Sequence, residues 1–262
     1  MFNMKSQIKI FEQGKGLGIF SANKKFYKEG TPEEKRKQEY KETRLRLGKK
    51  LGLDGTKIFQ PYQKTATNDI DYPDGKYVVL NEKYMTKDDY YDENIYCDIL
   101  IISNKYPNVI VGNQSADCPI IIAEDRKLGV TALAHCGGSY VDYKLPVKTI
   151  EALEKEFSSN KDDIYVYLTN CISKDNYVYD SYPKWATNKG VWNNYIIEEN
   201  GNYHIDIQGA IINMLNKYNI KNIKCSKIDP KADPNFYSHV GAYLGDESKL
   251  GQNFVGFYYL QK

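Results

Sequence analysis

"SADCPIIIAEDRKLGVTALAHCGG", residues 115–138, contains two short apolar runs, "PIIIAE" and "GVTALAH", on either side of the charged "EDRK". Both are too short for a typical helix, rich in apolar and β-branched residues and bounded by Pro, Gly or charge, so they read as strands buried on both faces. "EDRK" between them is expected to be a tight, hairpin-like turn. Antiparallel pairing would then set Cys118, before the first run, opposite a residue near His135, at the end of the second. A thiol beside an imidazole can pass its proton to the ring and act as a nucleophile or a soft metal ligand. On spacing alone, a buried core thiol and a hydrogen-bonded core histidine are an equally open reading. Gly137 and Gly138 favour a site, because bare Cα positions let a ligand approach the backbone, although a plain turn would use them too.

Outward from this stretch, "CDILIIS" (97–103) and "NVIVG" (108–112) have the same strand character. "TPEEKRKQEYKETRLRLGKKLGL" (31–53) reads as a helix with Thr31 as N-cap, Pro32 in the first turn, Glu34 at the capping-box position and Gly52 at its end. The polar stretch 65–93 is expected to be turn-rich. "LPVKTIEALEKEF" (145–157) has apolar residues at helical spacing, and so has "DIQGAIINMLNKYNI" (206–220), with Asp206 as cap. "DIYVYLTN", "KNIKCSKID" and "NFVGFYYLQ" supply further strands. Helices and short strands without regular βαβ alternation predict an α+β or mixed α/β fold in a single domain over 1–262.

Of the 262 residues, 36 are Lys or Arg and 34 are Asp or Glu, a net charge of +2 that gives no reason to invoke nucleic acid or an anionic membrane as partner. A small-molecule substrate is expected. No apolar stretch approaches the roughly 20 residues needed to span a bilayer, and the N-terminal residues lack the apolar core of a signal peptide, so a cytoplasmic location is expected. The five cysteines, Cys97, Cys118, Cys136, Cys171 and Cys225, include no CxxC pair and are expected to be thiols.

"SADCPIII" followed by "ALAHCGG" resembles the Ala-Asp-Cys-x-Pro and His-Ala-Gly-Trp-Arg-Gly pair of the laccase-domain family, first labelled multicopper polyphenol oxidase. The likeness runs almost the full length. "ETRLRLGKKLGL" resembles the family's Asn-Arg helix, "FQPY" falls at its Gln-Val-His-Gly, and "NFYSHV" with "GQNFVGFYYL" resembles its terminal segments. The resemblance implies mixed sheets flanked by helices, layered α/β/β/α, a fold shared with the catalytic domain of cytotoxic necrotizing factor toxins. It also implies purine nucleoside phosphorylase or adenosine deaminase activity, with a purine nucleoside and phosphate as small-molecule partners.

The resemblance further implies zinc held by three ligands. Two match, Cys118 and His135; the third position is Tyr62, in Gln60-Pro61-Tyr62, where the family has histidine. Zinc is therefore expected to be absent or weakly held unless Tyr62, Cys136 or His239 substitutes. Ser139 and Tyr140 follow Gly138 where the family has Arg-Gly, and Val240 stands at a second arginine position, which weakens phosphorolysis more than hydrolysis or deamination. Cys118, His135 and Asp117 are the candidate catalytic residues. Gln60, Tyr62, Gly137, Gly138, Ser238 and His239 are the candidate substrate contacts. The toxin relatives offer an alternative, a metal-independent Cys–His deamidase with oxyanion donors near residues 117–118. A non-catalytic divergent member is a third reading. Cys171 is read as a core thiol, His204 as scaffolding, and Trp185 with Trp192 as a surface loop lid.

Overall fold

A computed structural model describes residues 6–18, 20, 29–62, 74–86 and 95–260. Along these residues the chain forms β1 (Ile8–Gln13), α1 (Glu33–Leu51), β2 (Ile58–Phe59), β3 (Pro61–Tyr62), β4 (Tyr77–Val79), α2 (Glu82–Met85), β5 (Ile95–Tyr96), β6 (Ile99–Ser103) and β7 (Ile110–Ser115). It continues through β8 (Ile120–Asp125), β9 (Val130–His135), α3 (Gly138–Asp142), α4 (Leu145–Phe157), β10 (Ile164–Leu168), β11 (Val178–Tyr179), α5 (Lys189–Trp192) and β12 (Ile196–Glu199). The last elements are β13 (Asn202–Ile205), α6 (Ile207–Lys217), β14 (Asn222–Cys225), α7 (His239–Tyr243) and β15 (Asn253–Tyr259).

The β8–β9 hairpin sits at the centre of a six-stranded sheet ordered β14-β10-β8-β9-β6-β4, with Ile120 opposite His135 and Asp125 opposite Val130. Its turn is closed by Asp125, whose Oδ1 accepts from the N–H groups of Lys127 and Leu128 at 3.0 and 2.9 Å, while Gly129 takes φ +66°. A left-handed φ is open to glycine without side-chain strain. A second sheet, β1-β15-β7-β2, stacks on the first.

Side chains alternate across each strand and, among the described residues, sort into three cores. Ile99, Ile101, Ile121, Ala132 and Ala134 face α4 and α6; Leu100, Ile102, Ile122 and Leu133 face Val111, Val255 and Phe257 of the second sheet. The far side of that sheet, with Ile110 and Phe254, packs on Leu47 of α1. The order is helix, sheet, sheet, helix, the α/β/β/α layering of an α+β fold. Strands β6, β8 and β9 are continuous apolar runs because both their faces are covered.

Two local expectations are corrected. Helix α1 starts after Pro32, not after a Thr31 cap, because Pro32 has φ −58° and ψ 150°, an extended geometry that leaves Glu33 as the first helical residue. Gly52 does end it, with φ +72°. The stretch read as turns contains β4 and the short α2, and its residues 65–73 and 87–93 lie outside the described ones. Strand β4 pairs in parallel with β6, a long-range partnership that its own sequence does not announce. Strand β1 and the short α3 are also additions to the sequence reading.

Candidate active site

The hairpin ladder runs one rung beyond the strands, where the Cys136 N–H donates to the Pro119 carbonyl at 2.9 Å. Beyond it, Cys118 comes to Gly137: a Cβ built on Gly137 would lie 3.3 Å from Cys118 Sγ, 3.9 Å from Tyr140 Cδ2 and 4.0 Å from His135 Nε2. Thiol and imidazole thus both approach the Cβ side of Gly137, and His135 Nε2 is itself shielded from solvent. A side chain there would press on the Cys118 sulfur. The Tyr140 ring lies nearly parallel to the imidazole, with centroids 6.4 Å apart and an interplanar angle of 19°.

Asp117 aims the cysteine. Its φ is +89°, in a region that non-glycine residues rarely adopt. Its carbonyl accepts from the Ile172 N–H at 2.9 Å and its Oδ2 from the Val240 N–H at 2.7 Å. The Ser115 hydroxyl donates to the Cys118 carbonyl. Residues 169–172 support the other side, with Thr169 Oγ1 accepting from the Ile120 N–H at 2.9 Å.

Cys118 and His135 keep partial solvent access but are crowded by protein atoms, and crowding sets their charge state. Burial, and secondarily the Asp117 carboxylate, pushes the Cys118 thiol up to about 12. Burial holds His135 down at about 4. Both groups are therefore neutral at neutral pH. Burial also raises Asp117, against the Ser238 hydroxyl, the Val240 N–H and the charge of His239, which lower it.

Ser238 is fully buried as the N-cap of α7, its Oγ accepting from the Gly241 N–H at 3.0 Å, and His239 opens that helix with an exposed side chain. The segment 236–240 therefore reaches the site through Asp117. Gln60 and Tyr62 have other contacts: Gln60 Nε2 donates to the Tyr40 hydroxyl at 3.2 Å, and the Tyr62 ring meets Tyr96 edge-on at 5.1 Å. Cys171 is buried in the helix-side core, and His204 is paired within β13, as expected. Trp192 is fully buried, so the tryptophan pair is not a surface lid; Trp185 alone reaches the rim. Sequence reading missed Tyr177, a buried phenol whose hydroxyl is pushed well up by burial and by its neighbour Cys118. No periodicity or motif marks it.

The zinc site implied by the resemblance does not fit the residues present. Among the described residues no three His, Cys, Asp or Glu side chains converge as metal ligands, and Tyr62 is 46 % exposed against Tyr96.

The profile of the multi-copper polyphenol oxidoreductase laccases matches residues 30–255. The chain belongs to this family. A purine nucleoside phosphorylase of Clostridium acetobutylicum is 25% identical over 148 residues, covering 56% of this chain and 61% of that protein. The chain thus spans less than two thirds of that relative's length. Among solved structures, the Bacillus licheniformis hypothetical protein YfiH aligns with a TM-score of 0.68 at 17% identity, covering 86% of this chain and 82% of its own. YlmD from Geobacillus stearothermophilus aligns with a TM-score of 0.68 at 16% identity, covering 97% and 91%. These similarities establish the fold. Among the described residues no helix is long and apolar enough to cross a membrane.

Proposed function

We propose that this laccase-family chain processes purine nucleosides with water as co-substrate, using Cys118 and His135 as the working pair. The observation that supports this is the approach of the Cys118 thiol and His135 Nε2 to one side of Gly137, in a chain that matches a relative named purine nucleoside phosphorylase. A neutral imidazole is a proton acceptor, and a neutral thiol is a donor to a leaving nitrogen. Water over Gly137 would give its proton to His135 as its oxygen bonds to the substrate carbon. The reaction is either adenosine plus water to inosine plus ammonia, or nucleoside plus water to free base plus ribose.

Phosphate is disfavoured by what stands at the two arginine positions, Ser139 and Val240. The Val240 N–H is committed to the Asp117 carboxylate, which would repel an anion. Each absent charge-assisted pair is worth about 1.5–3 kcal/mol, roughly ten- to a hundredfold in affinity. The Cys–His deamidase alternative needs an activated thiolate, whereas burial favours the protonated Cys118 thiol.

Incubation of the purified protein with adenosine and inosine, with and without phosphate, tests this by product analysis. Turnover to inosine or free base is expected, insensitive to phosphate and lost in Cys118→Ala and His135→Ala with the fold retained. Phosphate-dependent release of ribose 1-phosphate would overturn the choice of water. No nucleoside turnover, together with alkylation of Cys118 faster than a free thiol near neutral pH, would transfer the assignment to the hydrolase.

A further inference from the structure

A Cβ built on Gly138 would lie 2.7, 2.7 and 2.8 Å from Cη2, Cζ2 and Cζ3 of Trp185. Carbon atoms in contact sit about 3.5–4.0 Å apart, so the outer edge of the indole already occupies the room that any side chain at 138 would take. Gly138 is also the position at which the motif quoted above has tryptophan. An indole from a distant loop fills the space beside the glycine pair.

That loop is held in place. Asp142, at the end of α3 and 2% exposed, accepts from Thr187 Oγ1, the Asn188 N–H and Trp192 Nε1, each at 2.7 Å. The three donors satisfy a buried carboxylate that would otherwise be costly. Trp192 in turn packs edge-on against Trp185, with centroids 5.2 Å apart and planes at 69°. Trp185 is thereby fixed, partly buried, against Gly138, the residue after the Gly137 that Cys118 and His135 approach.

We propose that Trp185 is the stacking face for the purine ring, a specificity-determining residue of the site. This rests on the nucleoside reading above. A flat, partly exposed indole braced by Trp192 and Gly138 suits an aromatic heterocycle, because stacking needs a rigid π-system and no hydrogen-bond register. Asp142 is its positioning residue.

The chain has two tryptophans and both emit, so the difference between wild type and Trp185→Phe isolates the response of Trp185. Adenosine is expected to quench wild-type emission saturably, and the quench is expected to vanish in Trp185→Phe. In turnover, Trp185→Ala should raise KM about tenfold or more with kcat within about twofold, and Trp185→Phe should restore most of it. A second measurement checks the placement by thermal unfolding. Gly138→Trp and Trp185→Ala should each lower Tm, and the double variant should recover part of both losses. An unchanged KM in Trp185→Ala, or an equal quench in Trp185→Phe, would overturn the stacking role while leaving the nucleoside reading standing. Saturable quenching without any turnover would sink that reading and keep the stacking role. Absence of both would remove the two together.

Discussion

Asp117, with its φ of +89°, is a strained residue whose neighbours hold it there. Such a conformation costs about 1–3 kcal/mol, offset here by bonds from Ile172 and Val240. The strain turns the chain so that Cys118 reaches Gly137, two residues beyond His135. Burial of His135 has a measurable consequence. An unfolded histidine takes up its proton near 6.5 and the folded one only near 4, so between those values the unfolded chain binds more protons. Stability from this group is present above about pH 6.5 and lost as pH falls towards 4. The loss between pH 7 and pH 5 is on the order of 2 kcal/mol. Urea denaturation at both pH values should show wild type losing that much more than His135→Gln; equal losses would contradict a buried neutral imidazole. That Cys118 falls near the end of the strand carrying His135 was legible from the two apolar runs and the short turn between them. Tyr140, which lies over the imidazole, was legible only as a departure from a motif, because its contact depends on the turn into α3.

At the scale of elements, α6 shows how a cap and a glycine depend on each other. Asp206 Oδ1 accepts from the Gly209 N–H at 2.7 Å, and a Cβ on Gly209 would sit 2.2 Å from Asp206 Oδ2. Alanine at 209 favours the helix by about 1 kcal/mol, yet it displaces the cap, which is worth about the same. Gly209→Ala alone should therefore leave stability near wild type, whereas in Asp206→Ala it should gain about 1 kcal/mol. Denaturant midpoints of the four proteins check this, and an equal effect in both backgrounds would show that cap and glycine are uncoupled. The Asp206 cap was readable because capping chemistry is local. At α1 the same kind of reading misplaced the start, because the backbone of Pro32 outweighed the side chain of Thr31. Strand β1 escaped notice because its partner, β15, lies at the other end of the chain and its own six residues alternate too weakly.

The whole molecule is joined by shared sheets: the six-stranded sheet contributes to the helix-side and the middle core, and the second sheet to the middle core and the one under α1. No layer can separate without exposing one of the others. One cooperative unfolding transition is expected. Leu133, fully buried between the sheets, should lower the whole transition when changed to Ala, by about 2–5 kcal/mol. Two resolved calorimetric transitions, or a shift confined to part of the protein, would contradict this coupling. The sequence by itself determined the strand pair, the long helices, Asp206 as cap, Gly52 as terminator and the placing of Cys118 opposite a residue near His135, since each depends on residues near one another in the chain or on a simple period. Only the tertiary structure decided that the segment of Val240 reaches Asp117, that Tyr62 turns to Tyr96, and that Trp185 takes the room beside Gly138. Those contacts join segments far apart in sequence, where the order of strands and the close packing of side chains select the neighbour, and no local pattern encodes that choice.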